Sequence, residues 1–352
     1  MIDDDIRAMV LAAGIGSRLQ PLSDEIPKPL IKIGGNSIMG HILHLLKKHG
    51  IKKIISNTHH LGDKIQAEFA NVNKTEGIEL NFVHEDKLSG VAGGIRRCQD
   101  FLRQSTACII MGDALTDIDL SDLYQKHKQA VKKYNCIATV AQMQVADSSH
   151  FGVIVTESLL PDFKKSNDEI DGARIVQFQE KPKPEEALSN WANTGVYFFE
   201  PAIYDYIPSI EEAPVYDVAK NLFPRLLKEG KYIQAISVKP GTYWADLGTP
   251  KQYIQSIKDL AQGLIKLDNL TEIDPSSKIS LSAKLNGAIE MGKNCLIEDD
   301  VILKDSILWD NVVVKKGSII KNSIIGSNTL IPESSKINDE IVVRDKIPEI
   351  SS

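Results

Sequence analysis

A chain of 352 residues with 42% apolar and 25% charged positions is too apolar for disorder and too long for one small core. Its formal net charge of −6 excludes a general nucleic-acid binder, which needs a basic face, yet leaves room for local Lys and Arg clusters that hold small anions. Four cysteines spaced far apart without a C-x-x-C pair, an acidic start ("MIDDDIR") and no apolar run of spanning length read as a cytoplasmic protein without a membrane partner.

From residue 6 to about 145, short β-rich runs alternate with helical patterns. "IRAMVLAA" reads as a buried strand, and "IMGHILHLLKKHG" places Ile38, Ile42, Leu45 and Leu46 on one helical face that stops at Gly50. Strand "KKIISNTHH", helix "GDKIQAEFA", strand "IELNFVHE", helix "GGIRRCQDFLRQ" and strand "ACIIMGDAL" follow. This alternation predicts a parallel sheet covered by helices, with ligands beyond the carboxyl ends of its strands. After residue 145, "FGVIV", "ARIVQFQEKP" and "NTGVYFFEP" are strands without intervening helices, so the sheet becomes mixed. Helices "DVAKNLFPRLLKEG" and "PKQYIQSIKDLAQG" flank the strand "YIQAISV" and close a first domain over residues 1–262.

Residues 263–352 differ. Ile297, Leu303, Leu308, Val314, Ile320, Ile325 and Ile331 recur in steps of six or five, between turns of Asp, Asn, Gly or Ser. A hexapeptide period predicts a short parallel β-helix; a sandwich of short hairpins is the competing architecture. This tail holds no histidine, which speaks against an acyltransferase, another common use of such coils.

The run "LAAGIGSRLQPLSDEIPKPL" follows the first strand. Gly14 and Gly16 let backbone N–H groups approach phosphate oxygens, although the glycines alone fit a tight strand-to-helix turn with an exposed arginine better. Pro27 and Pro29 fix the backbone on both sides of Lys28, which makes sense if its ammonium and the Arg18 guanidinium converge on one polyphosphate. Asp113 in "MGDALTD" ends a strand where the ligand crevice is expected, and Asp246 lies in "YWADLGTP". A carboxylate pair suits Mg²⁺, while each aspartate alone also fits a turn or helix cap; Asp119 reads as a cap for a helix beginning near Ser121. His59 and His60 have no partners at ligand spacing and read as structural.

These motifs resemble the sugar-1-phosphate nucleotidylyltransferases, whose signature is approximately L-x-G-G/A-x-G-T/S-R-L-x-P-L-T-x-x-x-P-K-P. The resemblance continues in order through "EDKLSGVAGGI", "MGDALTD", "FGVIV", "FQEKP", "ANTGVYFFEP" and "YWADLGTPKQY", and so covers residues 6 to about 260. It implies a Rossmann-like α/β domain with a mixed sheet, followed by a left-handed parallel β-helix of hexapeptide repeats. It implies Arg18, Lys28 and Lys181 as catalytic residues, with Leu11, Ala12, Ala13, Gly14, Gly16, Ser17, Glu85 and Gly90 also against the nucleotide. Gly152, Glu180, Lys181 and Asn193 fall to the sugar phosphate, and Asp113 and Asp246 to Mg²⁺. Ser89 and Val91 depart from the family's usual Leu and Thr, which puts base choice in doubt. The implied substrates are a nucleoside triphosphate and a hexose 1-phosphate, in a homo-oligomer. The wording is most like the enzymes that join GTP and mannose 1-phosphate. A glucose-1-phosphate thymidylyl- or uridylyltransferase and a non-catalytic regulatory subunit are the alternatives.

Overall fold

The computed structural model describes residues 2, 5–160, 171–268 and 270–344; Met1, Asp3 and Asp4 of the acidic N-terminal run lie outside them. The chain divides into two compact units. One comprises Met1–Gly14, Ile42–Ala114 and Ile118–Trp244, the other Ile15–His41, Leu115–Asp117 and Ala245–Ser352.

Among the described residues the first unit is built on a sheet of nine strands: β1 (Arg7–Leu11), β2 (Lys53–Thr58), β3 (Glu79–His84), β4 (Ala107–Met111), β5 (Ala138–Gln144), β6 (Gly152–Thr156), β7 (Ala173–Glu180), β8 (Trp191–Phe199) and β9 (Ile233–Ser237). They form one sheet in the order β3-β2-β1-β4-β8-β5-β9-β7-β6. Pairings β1–β2, β2–β3 and β1–β4 are parallel, as the β/α alternation requires. Strand β8 runs antiparallel to both β4 and β5, and β7 runs antiparallel to β9 and β6, so the sheet is mixed where the helices thin out. Met9, Ile109, Val140, Tyr197, Phe199 and Phe223 are buried in one core on this sheet.

Helix α1 (Ile38–Lys48) buries Ile38, Ile42, Leu45 and Leu46, and Gly50 follows it at φ 84°. Helices α2 (Gly62–Glu68) and α3 (Gly90–Arg97) fall where the periodicity places them. Helix α4 (Leu120–Tyr134) is capped by Asp119, whose carboxylate accepts the Asp122 N–H at 3.0 Å. Two runs are less continuous than the pattern predicts. "ACIIMGDAL" breaks at Gly112–Asp113, where the Gly112 N–H donates to the Leu11 carbonyl at 2.9 Å, pulling the chain onto β1. In "DVAKNLFPRLLKEG" a wide turn over Val218–Leu222, capped by Asp217, precedes the helix Phe223–Lys228; Pro224 offers no N–H and is tolerated only at that helix's start.

The second unit contains the stacked tail. Its short strands pair in parallel with a step of 17 residues, Leu296 with Val313 and Val313 with Leu330 on one stack, Ile302 with Ile319 and Ile319 with Lys336 on the next. A third stack pairs Ile307 with Ile324 and Ile324 with Ile341. Ile297, Leu303, Leu308, Val314, Ile320, Ile325 and Ile331 all point inward and are buried, as the period requires. At the corners Asn294, Asp300, Asp305, Asn311, Asn322, Asn328, Ser334 and Asp339 adopt positive φ, a conformation that short polar side chains tolerate best. Asn294, Asn311 and Asn328 form a ladder, each donating from Nδ2 to the Oδ1 of the next at 3.2 and 3.1 Å.

The same unit anchors the hairpin that follows Lys28, Lys32–Ile33 with Asn36–Ser37. The Tyr253 hydroxyl donates to the Lys32 carbonyl at 2.7 Å, and Trp309 Nε1 donates to that hydroxyl at 3.3 Å. Glu290 accepts the Gly35 N–H at 3.4 Å. Burial pushes the Glu290 carboxyl up to about 8, with Glu272 adding to the rise and the Gly34 and Gly35 amides and Lys32 opposing it. The folded protein therefore holds this proton across a pH range in which the unfolded chain, with an ordinary value of 4.5, releases it. Stability from this group is full below about pH 4.5 and is lost as pH rises through about 8. Glu290→Gln, which mimics the neutral acid, should leave the melting temperature unchanged near pH 5 and raise it by about 2–4 °C near pH 9, read by circular dichroism.

Candidate functional site

Within the second unit the signature run folds back on itself. Gly16 sits at φ 71°, and the Ser23 hydroxyl donates to its carbonyl at 2.9 Å. Two short turns, Ser17–Leu19 and Lys28–Leu30, present the cations. Lys28 is buried and its Nζ donates to Asp246 Oδ1 at 3.0 Å. Arg18 donates from its guanidinium to Asp246 Oδ2 at 3.5 Å, but its side chain is 56% exposed against 8% for Lys28. Two cations thus converge on one carboxylate from opposite ends of the signature. A cation on a rigid stalk beside one on an exposed arm is an arrangement suited to a polyanion.

In the first unit, the carboxyl ends of β1, β2 and β3 carry the remaining nucleotide candidates. The Ala12 N–H donates to Asn57 Oδ1 at 3.0 Å, which fixes Leu11, Ala12 and Ala13 as the chain leaves β1 toward Gly14. Asp113 is partly buried in the break directly after β4. Gly90 opens α3 at φ 78°, and a Cβ there would lie 2.6 Å from the Tyr216 carbonyl oxygen, so only glycine fits. Glu85 is 1% exposed, and both of its carboxylate oxygens are occupied: Oε1 accepts from Asn57 Nδ2 at 2.6 Å, and Oε2 from the Ser89 hydroxyl at 2.6 Å and N–H at 3.2 Å.

The sugar candidates gather on the antiparallel part of the same sheet. Gly152 pairs with Glu180 across β6 and β7, and a Cβ at 152 would lie 3.2 Å from Glu180 Oε2 and 3.8 Å from Asn193 Nδ2. Asn193 on β8 donates to the Tyr197 hydroxyl at 2.9 Å and accepts the Gly195 N–H at 3.0 Å. Lys181 is held at φ 49°, with its N–H donating to the Phe151 carbonyl at 3.1 Å. A non-glycine residue in this region is strained, and the exposed Lys181 ammonium lies 3.9 Å from Glu180 Oε1.

Asn57, Tyr197 and Trp244 are not legible in the sequence as site residues. Trp244 donates from Nε1 to the Thr194 carbonyl at 2.9 Å and packs its ring against Phe151 at 5.1 Å. The signal available for Asn57 is the polar ending of an otherwise apolar strand, "KIISNT". Among the described residues no group of three or more His, Cys, Asp and Glu side chains is arranged for a metal ion. His59 instead makes a backbone contact, Nδ1 to the Glu85 carbonyl at 2.6 Å. Asp113 in the first unit and Asp246 in the second are each hard oxygen donors of the kind Mg²⁺ takes. No helix among the described residues is long and apolar enough to cross a membrane.

A family model described as "Nucleotidyl transferase" matches residues 7–263, and one described as "GMPPB C-terminal domain" matches residues 268–348. A UTP–glucose-1-phosphate uridylyltransferase of Synechocystis is 32% identical, covering 87% of this chain and 83% of its own. A mannose-1-phosphate guanylyltransferase of Mycobacterium tuberculosis is 29% identical over 88% of this chain and 81% of its own. A mannose-1-phosphate guanyltransferase beta-A of Xenopus laevis is 27% identical over 78% and 73%. A crystal structure from Bacillus anthracis, provisionally assigned as a glucose-1-phosphate thymidylyltransferase, shares the fold with a TM-score of 0.58 at 23% identity, over 71% of this chain and 93% of that one.

Gly90→Ala tests the local geometry directly. A side chain at this φ, against the Tyr216 carbonyl, should lower the unfolding free energy by roughly 1–3 kcal/mol, measured by urea denaturation.

Proposed function

The chain belongs to the nucleotidyl transferase family, and we propose that it makes GDP-mannose and pyrophosphate from GTP and mannose 1-phosphate. The observation that carries a phosphate chemistry is the convergence of Lys28 and Arg18 on Asp246. The relatives named for mannose 1-phosphate and the match to the GMPPB C-terminal domain support the choice of substrates. A second reading, uridylyl transfer to glucose 1-phosphate, is favoured by the 32% identical Synechocystis relative.

In this reaction an oxygen of the sugar phosphate forms a bond to the α-phosphorus as the bond to the bridging oxygen of the β-phosphate breaks. The attacking oxygen is already ionised, so no general base is required. The work is positioning and charge neutralisation. Arg18 and the amides of Gly14, Gly16 and Ser17 hold the departing phosphates, and Lys28 holds the α-phosphate. Lys181 steers the attacking phosphate; Gly152, Glu180 and Asn193 hold the hexose, and Gly90 lets the chain approach the base. Asp113 and Asp246 would hold Mg²⁺, which when bound offsets phosphate charge. A regulatory subunit without turnover would have no use for Arg18, Lys28, Asp113, Lys181 and Asp246 together.

The stacked parallel strands support reading residues 263–352 as a left-handed hexapeptide β-helix after a catalytic domain of 1–262. Leu296 and Leu330 face outward on one stack, which supports self-association through the tail. The four cysteines are buried and free, in keeping with a cytoplasmic enzyme.

A pyrophosphate-release panel with Mg²⁺, crossing GTP, UTP, dTTP, ATP and CTP with mannose 1-phosphate and glucose 1-phosphate, tests the reading. GTP with mannose 1-phosphate should dominate; preference for UTP with glucose 1-phosphate selects the second reading, and silence throughout refutes both. In the active pairing Lys28→Ala should lower kcat by roughly 10²–10³-fold while circular dichroism shows a folded protein.

A further inference from the structure

We infer that Asn57 and Glu85 are positioning residues that lock the two nucleotide loops to one another and so set the enzyme's affinity for its nucleoside triphosphate, an inference that rests on the transferase reading above. The family resemblance sets Glu85 beside the base. In this chain its carboxylate is spent inside the protein, on Asn57 Nδ2, the Ser89 N–H and the Ser89 hydroxyl, with Arg97 Nε a further 3.6 Å from Oε2. A carboxylate has about four acceptor sites, so little capacity is left for a base.

The contacts form a directional chain. The Ala12 N–H donates to Asn57 Oδ1, Asn57 Nδ2 donates to Glu85 Oε1, and Ser89 donates twice to Glu85 Oε2. Ala12 begins the phosphate loop after β1, Asn57 sits near the end of β2, and Glu85 and Ser89 lead from β3 to Gly90 and α3. Three neighbouring parallel strands are thereby stitched together at their carboxyl ends, by side chains that are 3%, 1% and 2% exposed at Asn57, Glu85 and Ser89. Gly94 makes room for the stitch, since a Cβ there would lie 2.6 Å from Asn57 Nδ2 and 3.0 Å from Glu85 Oε1.

Polarity dictates the residue types. Position 57 must accept at one end and donate at the other, which an amide does and a carboxylate does not. Position 85 must accept on both sides, which a carboxylate does and an amide does not. Buried networks of this kind tolerate no partly satisfied member. Asn57→Asp sets two carboxylates against each other, and Glu85→Gln turns an N–H toward the Ser89 N–H. The double variant N57D/E85Q restores every bond with the donors reversed between the two side chains. The carboxylate then at position 57 accepts from the Ala12 N–H and from the amide N–H at position 85, and the amide carbonyl oxygen at position 85 accepts from Ser89. Its total charge is that of the wild type.

The test is the double-mutant cycle, read as equilibrium binding of GTP and UTP by calorimetry and as the KM for the sugar phosphate in the active pairing. Each single variant should weaken the nucleotide by about tenfold or more, leave the KM for the sugar phosphate within about twofold, and be rescued in the double variant to within about threefold of wild type. Single variants that bind nucleotide as wild type does, or a double variant no better than the worse single, overturn the inference. Should a single variant fail to fold, Ser89→Ala removes only one hydroxyl bond and must still weaken nucleotide several-fold; unchanged affinity there overturns it equally. Failure of the wild-type protein to bind either nucleotide would instead refute the transferase reading.

Discussion

Lys28 Nζ lies 3.0 Å from Asp246 Oδ1 in a site that leaves the lysine side chain 8% exposed, and the organisation of the signature follows from that contact. A buried ammonium needs a carboxylate, because an unpaired charge in a poorly solvated site is among the costliest arrangements a fold can contain. The flanking prolines hold the lysine on a stiff backbone, and the hairpin behind it is fastened by Tyr253 and Glu290, which leaves the cation little freedom to turn away. Arg18 shares the same carboxylate from the solvent side and keeps most of its guanidinium exposed. A fixed cation and an exposed one, gathered on a shared carboxylate, make a site whose electrostatics suit an anion.

The sheet solves a different problem. Parallel strands direct their carboxyl ends to one edge, where loops depart and backbone groups would otherwise lie unpaired. At that edge β1, β2 and β3 are joined through Asn57 and Glu85, so three loops that diverge in sequence leave from one rigid line. Where the sheet turns antiparallel, Gly152, Glu180 and Asn193 come together through register. The two halves of one sheet therefore offer two kinds of surface: backbone-rich turns, and side chains projecting from paired strands.

In the tail, period and geometry are nearly the same statement. An inward aliphatic follows a corner at positive φ by three residues, Leu303 after Asp300 and Ile325 after Asn322, for example. Asparagine and aspartate accept that conformation with little strain, and asparagine side chains then pair with the coil above or below.

The sequence by itself determined what depends on near neighbours. The alternation of strand and helix, the buried face of α1, the cap at Asp119 and the inward aliphatics of the tail were all legible, because local sterics and short-period burial set them. Motif order also brought Arg18, Lys28, Asp113, Glu180, Lys181, Asn193 and Asp246 into view. The sheet order, the break at Gly112–Asp113 and the partners of the polar side chains were decided only by the tertiary structure. Lys28 meets an aspartate 218 positions away, and Glu85 turns from solvent to Asn57 and Ser89. No period encodes such choices: a buried donor takes whichever acceptor the packed backbone brings within about 3 Å, and that is fixed only once the strands have found their neighbours.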